Sequence, residues 1–566
     1  MLTRNLSELA STSFEVLIIG GGIYGATLAH EATLRGLKTA LVEKADFGHA
    51  TSANSLKVIH GGLRYLQHAD IKRMRRSIGE RTALMRIAPH LVHPLPCCMP
   101  IYGHGLKGRE AMTMALLLND LISFDRNELD DTQKYRPRGT VISREECLTL
   151  FPGLLSEGLS GGAIWYDAQM YNSERLTLSF ILSAAQEGAM AANYLKVTQL
   201  CQEDKRITGA EVVDELTGES FRINAQIVIN AAGPWVDKVL NLLPKRTPQM
   251  GVRLAKAVNI ATRPVFERYA VGIPALARYN GPDSSGERLL FVTPWRDQAL
   301  IGTTYALYED DPDALQVRET DVSELLSQIN NIYPPADLTL DDVIFTYCGL
   351  VPFTDVDPDT CQFRRAGQYR IRDHSHDGYN GLITVLGVKY TTARSIAEKV
   401  LSQVHQLRGE TYDGPGSDRV ALVGGKIEQF EPFVQSVLEQ RPHGFEAAQL
   451  RPLLYNYGTR YKDVLAYLPS SMPLDNTQSA ERGLLRAQVV HSVRHEMAQK
   501  LSDVIFRRTE VGTEGLAGRE EVVTFCARIM ADELGWNEGR CQQEIEEVKQ
   551  MPMLFPGMSA SARSYE

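Results

Sequence analysis

The sequence predicts an α/β fold: a Rossmann-type domain, interleaved with a domain built on an antiparallel sheet, and an all-helical domain at the C-terminal end. Three observations carry this reading. Residues 14–43 run strand, glycine-rich turn, helix, strand, acid. Strand-like runs recur at 226–229, 288–292, 299–301 and 382–386. A linker at 408–418 holds Gly409, Gly414, Pro415 and Gly416, and a helical pattern follows it to about Lys549.

The opening unit is the most informative. FEVLII at 14–19 is apolar and β-branched, as a strand buried on both faces requires. Gly20, Gly22 and Gly25 then spell G-x-G-x-x-G. A helical pattern over 26–35 closes on Gly36, a C′ residue, and a second strand over 38–42 ends at Glu43. Gly20 permits the tight turn, Gly22 lets backbone approach a pyrophosphate, and Gly25 lets helix pack on strand. The helix N-terminus offers free N–H groups and the positive end of its dipole to phosphates. Glu43 lies 23 residues beyond Gly20, where a ribose-binding acid is expected at about 20. Its carboxylate would accept hydrogen bonds from ribose hydroxyls and repel a 2′-phosphate. A second nicotinamide-type fingerprint is missing, since Gly424-Gly425-Lys426 has neither the spacing nor the helix.

Composition narrows the class. The chain has 566 residues, 43% hydrophobic and 23% charged, which fits a folded protein with a large core and excludes disordered or collagen-like chains. A net charge of −9 argues against a nucleic-acid partner. The cysteines form no CxxC pair and no metal-ligand spacing, so no metal is expected, and reduced thiols suit a cytoplasmic location. No secretory h-region precedes Val16, and no run of 18 apolar residues occurs; the most apolar helix candidate, 111–124, is interrupted by Asn119 and Asp120.

Just after Glu43 comes ADFGHATSANSLKVIHGGLRYLQH, residues 45–68. With it the chain resembles the FAD-dependent glycerol-3-phosphate dehydrogenase family, within the glycine-oxidase-like flavoproteins. The motif ATSxxSxKxIHGGLRYL covers 50–66. Further matches follow in family order: NAAGPW at 230–235, GVRLAK at 251–256, Pro294-Trp295 with Gly302-Thr303-Thr304, TYCGL at 346–350 and GVKYTT at 387–392. Segments at 491–498, 507–509 and 533–536 look like the family's helical C-terminal domain.

The resemblance implies FAD as cofactor and hydride transfer from a carbinol C–H to the flavin, leaving a ketone or aldehyde. Electrons would pass to a quinone or to oxygen. It implies that Thr51, Ser52, Asn54, Ser55 and His60 bond flavin and pyrophosphate, with Gly61 and Gly62 letting backbone approach the isoalloxazine. Ala231 and Gly233 would face the adenosine half, and Gly349, Gly387, Lys389, Thr391 and Thr392 the flavin. Thr391 and Thr392 open a helix over 391–404 whose N-terminus suits a flavin carbonyl that gains negative charge on reduction. Arg64 and Lys389 are the catalytic candidates, Lys389 as a cation beside reduced flavin. Tyr65 is a substrate-pocket candidate.

Two positions depart from the family pattern. Val351 stands where the family's YSGVRPL carries an arginine, and Asn259 where KGSH carries a histidine. Valine cannot hold an anion, and asparagine can orient a hydroxyl but cannot serve as a base near neutral pH. Arg365 is the nearest residue that could restore the charge. Three readings follow: a glycerol-3-phosphate dehydrogenase-like enzyme; the same fold acting on a less anionic alcohol, such as a sugar, aminocyclitol or biosynthetic intermediate; or a flavin-binding protein with little turnover and a structural role.

The expected organisation is an FAD-binding domain in segments near 11–90, 160–250 and 345–410, interleaved with a substrate domain near 91–159 and 251–344, then helices over 419–566. Residues 71–86 form a helix candidate with six basic residues against Glu80. It reads as a solvated face near FAD phosphates or an acidic partner, or as an aid to peripheral attachment at the inner face of the membrane. A homodimer is left open.

Overall fold

The computed structural model describes residues 2–105, 108–243, 249–275, 288–356, 363–365, 369–469 and 477–551. Two sheets and a helical domain make up these residues. The first sheet has a parallel heart: Leu382–Leu386, Ser220–Asn230, Ser13–Ile19, Thr39–Val42 and Met190–Ala192 lie side by side. The antiparallel strands Leu195–Glu203 and Arg206–Asp214 extend from Ser220–Asn230. Apolar residues along the central strands are buried on both faces, as a sheet covered on both sides requires. The helices Ile23–Leu34, Ser173–Gln186 and Ala393–Arg408 pack against one face, and their shared core includes Ile18, Leu28, Leu41, Phe180, Ile181 and Val400. Gly36 and Gly409 sit in the left-handed region where the first and last of these helices stop.

The second sheet is antiparallel except where Ala270–Ala275 runs parallel to Val92–Tyr102. Its order runs from Phe363–Arg365 through Val343–Val356, Arg253–Thr262, Gln298–Tyr308, Arg288–Trp295, Ala270–Ala275 and Val92–Tyr102 to Leu159–Met170 and Val58–Ile59. Helix Glu319–Ile332 buries Val322, Leu325, Leu326 and Ile329 in the core behind it. The chain crosses back to the parallel sheet after Met170, about ten residues later than the sequence suggested. Leu159–Met170 stays paired with Val92–Tyr102 along its whole length, and the next helix begins only at Ser173.

The C-terminal helices include Phe430–Gln440, Ala447–Tyr457, Thr477–Glu496, Glu520–Leu534 and Glu538–Lys549. Among the described residues, no helix is long and apolar enough to cross a membrane. Helix Ile71–Ile87 is less solvated than its basic residues suggested. Arg81 is buried against Asp167, and Arg75 pairs with Asp125 at 2.6 Å. The apolar helix appears as Arg109–Ile122, but with its apolar side outward: Leu117, Leu118 and Leu121 are exposed.

Candidate active site

The C-terminal ends of the parallel strands and one face of the antiparallel sheet enclose a cavity of about 2960 Å³. Pockets for drug-sized ligands measure roughly 300–1,000 Å³, so this space has room for a dinucleotide and a substrate together. One end is the glycine turn. Gly22 caps helix Ile23–Leu34, whose Ile23 N–H donates to Ser52 Oγ at 2.9 Å. A Cβ on Gly25 would stand 1.7 Å from the Gly20 carbonyl oxygen, so only glycine allows the helix this close to the turn. Glu43 is buried at the end of its strand and accepts from Gly21 N–H at 2.6 Å and Ala45 N–H at 2.9 Å. Glu43, Gly20, Gly22, Ala231 and Gly233 all border the cavity here.

The loop after Glu43 spends much of its polarity internally. Thr51 Oγ1 donates to the Leu350 carbonyl at 2.9 Å and accepts from its N–H at 3.2 Å. The Asn54 amide donates to the carbonyls of Ala50 and His49. Ser55 Oγ accepts from Lys57 N–H at 3.2 Å. Thr51, Ser52, Asn54 and Ser55 still border the cavity, as does Gly62. Gly349 packs its backbone on Thr51 from behind, and Gly61 packs on the Arg81 guanidinium.

On the same edge of the parallel sheet, strand Leu382–Leu386 leads through Gly387, Lys389 and Thr391 into helix Ala393–Arg408. The helix starts two residues later than predicted, with Thr392 as its N-cap. Gly387 is required by Tyr24, since a Cβ there would lie 1.8 Å from the tyrosine ring. The Tyr24 hydroxyl donates to the Lys389 carbonyl at 2.9 Å. The Lys389 ammonium lies over the Tyr65 ring, 4.2 Å from its centre. Burial, and then the Arg64 charge, bring Lys389 down to about 8. Both cations border the cavity, and no carboxylate pairs with Lys389 among the described residues.

His60 faces the same chamber, with Nδ1 3.2 Å from Asp167 Oδ2. Asp167 also accepts from Gly61 N–H at 2.6 Å, Arg81 Nη1 at 2.8 Å and Trp165 Nε1 at 3.4 Å. Burial would raise its carboxyl, but the His60 bond and the Arg81 charge outweigh this and hold it well below the usual carboxylate range. Sequence reasoning missed Asp167. The available signal was a lone acid inside the apolar strand LSGGAIWYDAQM.

Asn259 and Val351 also border the chamber. Asn259 Oδ1 accepts from the Thr303 hydroxyl at 2.7 Å. The intervening Lys256 points to the opposite face and pairs with Asp321 at 2.6 Å. The Arg365 side chain lies outside the described residues; its backbone ends the strand paired to Phe353.

Comparison with known proteins agrees with this geometry. The profile described as "FAD dependent oxidoreductase" matches residues 15–395. The profile described as "C-terminal domain of alpha-glycerophosphate oxidase" matches 416–541. A glycerol-3-phosphate dehydrogenase of Synechocystis sp. is 33% identical over 96% of this chain and 97% of its own. The mitochondrial glycerol-3-phosphate dehydrogenase of Mesocricetus auratus is 31% identical over 99% of this chain and 76% of its own. The crystal structure of the Bacillus halodurans glycerol-3-phosphate dehydrogenase complexed with FAD superimposes with a TM-score of 0.75, at 26% identity and covering 96% of each chain.

Proposed function

The chain belongs to the FAD-dependent glycerol-3-phosphate dehydrogenase family, and on that premise we propose that it oxidises the secondary alcohol of glycerol 3-phosphate. It is an FAD enzyme acting on a CH–OH donor. The observation that carries the substrate reading is the Arg64–Lys389 pair on the cavity wall. Two neighbouring cations in a partly desolvated pocket suit a phosphate ester, which has about −1.5 to −2 charge near neutral pH. The anion site thus stands without an arginine at position 351, and Val351 forms an apolar wall instead.

The glycine turn and the N-terminus of helix Ile23–Leu34 hold the FAD pyrophosphate, Glu43 the ribose, and Lys389 with Thr391 the flavin edge. Bound FAD supplies the acceptor for the hydride that leaves the carbinol carbon. His60 takes the hydroxyl proton, and the ketone remains. Asp167 orients the imidazole, as a buried carboxylate beside a histidine base does. Asn259, oriented by Thr303, offers its amide N–H to a substrate oxygen.

The outward apolar side of helix Arg109–Ile122 supports peripheral attachment to a membrane and a quinone as electron acceptor. Leu121 is 72% and the following Phe124 77% exposed. Met112, Ala115 and Leu118 of the same helix border the cavity, so a lipid-soluble acceptor has an apolar approach.

The test is steady-state oxidation of glycerol 3-phosphate and of glycerol by the FAD-loaded protein with an artificial acceptor dye. The proposal expects turnover of the phosphate ester alone. Equal turnover of both, or of an unphosphorylated polyol only, would favour the less anionic substrate.

A further inference from the structure

The C-terminal domain contributes nothing to the cavity wall: among the described residues, the lining ends at Thr391. It nevertheless reaches the loop that follows Glu43. Asp46 is fully buried in that loop, and its carboxylate accepts from Arg507 Nε at 2.5 Å, Arg508 Nη1 at 2.9 Å and Arg508 Nη2 at 2.8 Å. Both arginines belong to a π-helical turn, Val504–Arg508, whose five residues are all buried. Such turns recur at functional sites. Here the turn brings two consecutive arginines onto one carboxylate.

The contact continues towards the cofactor site. Arg507 Nη2 donates to Asp503 Oδ1 at 2.7 Å, and that oxygen also accepts from Tyr194 OH at 2.6 Å. The Tyr194 N–H donates to the Ala45 carbonyl at 3.0 Å, and the next N–H, of Leu195, to the Glu43 carbonyl at 2.8 Å. Two residues past Asp46, Gly48 N–H donates to the Gly21 carbonyl in the glycine turn at 3.0 Å. The charge cluster therefore fixes the loop between the ribose acid and the phosphate turn.

We propose that the helical domain acts as a clamp on the FAD loop, with Asp46, Arg507 and Arg508 as positioning residues, so that FAD binding and docking of this domain are energetically coupled. The proposal rests on the reading that residues 43–55 hold the cofactor. Coupling of this kind is reciprocal: what FAD adds to docking, docking adds to FAD affinity. Neither arginine nor Asp46 touches the cavity, so their effect on the cofactor passes through the backbone of the loop.

The experiment is hydrogen exchange on the unaltered full chain, stripped of FAD and then reloaded. The clamp predicts that FAD slows exchange both in residues 43–55 and in the remote turn 504–509. Protection of 43–55 alone would overturn the clamp while leaving the cofactor reading intact. Protection of neither would overturn both. Asp46→Asn and Arg508→Lys extend the test by FAD titration. Each should raise the FAD dissociation constant about tenfold or more, whereas Asp321→Asn, which breaks the part-buried pair with Lys256 outside the clamp, should not. Wild-type affinity in folded Asp46→Asn protein would refute the clamp. If that variant does not fold, the exchange measurement still decides.

Discussion

Replacing Lys389 tests the anion site most sharply, because its charge is tied to a measurable pH. Burial and Arg64 bring this lysine to about 8, so the free enzyme loses the ammonium as pH rises through that value. If only the charged form holds the phosphate, kcat/KM for glycerol 3-phosphate falls above pH 8 by a factor of 1 + 10^(pH − 8). At pH 9 that is about elevenfold, close to 1.4 kcal/mol. The limb appears in kcat/KM because this parameter reports free-enzyme groups. Lys389→Arg should abolish the limb, since a guanidinium stays charged far above this range. Lys389→Met should abolish it too and lower the plateau by about 1.5–3 kcal/mol, the contribution of a hydrogen bond to a charged group, or roughly 10- to 150-fold. The assay is initial-rate kinetics from pH 6.5 to 9.5 with a dye that does not titrate there. A limb that persists near pH 8 in Lys389→Arg, or a wild-type limb near 10.4, would refute the assignment.

Further outcomes follow from the same geometry. His60→Asn should slow flavin reduction by about 10²–10⁴ while FAD stays bound, the usual contribution of a positioned base; stopped-flow absorbance measures it. Asp167→Asn leaves Arg81 buried without its acid and should reduce unfolding free energy by about 3–5 kcal/mol, read from urea denaturation. Gly25→Ala places a methyl 1.7 Å from a backbone oxygen and should give protein that purifies colourless or not at all. Leu117→Glu with Leu121→Glu should abolish flotation with anionic phospholipid vesicles but leave dye-linked turnover unchanged, because the two exposed side chains lie off the cavity wall.

What the sequence disclosed follows from how local each feature is. The turn at 20–25 declares itself because glycine spacing, strand, helix and acid all fall within one short stretch. The strand over 382–386 was readable from its apolar run alone. Asp167 was not legible, because its role depends on Arg81, 86 residues away, and on His60, 107 away. The helix at 71–87 misled for the same reason: Arg75 and Arg81 look solvated until their distant acids are known. Helix Arg109–Ile122 had the opposite problem. Its apolar periodicity is plain, but periodicity alone does not say whether the stripe faces a core or the outside. The substitutions at 259 and 351 were visible at once; that Arg64 and Lys389 stand close enough for one charge to act on the other required the fold.

The proposed reaction removes hydride from the carbinol carbon of a phosphorylated polyol. The most direct measurement is anaerobic single-turnover bleaching of the bound flavin by glycerol 3-phosphate, with hydrogen and then deuterium at C2. Full bleaching is expected, slowed several-fold by the deuterium. No bleaching, or bleaching at the same rate with either isotope, would contradict it.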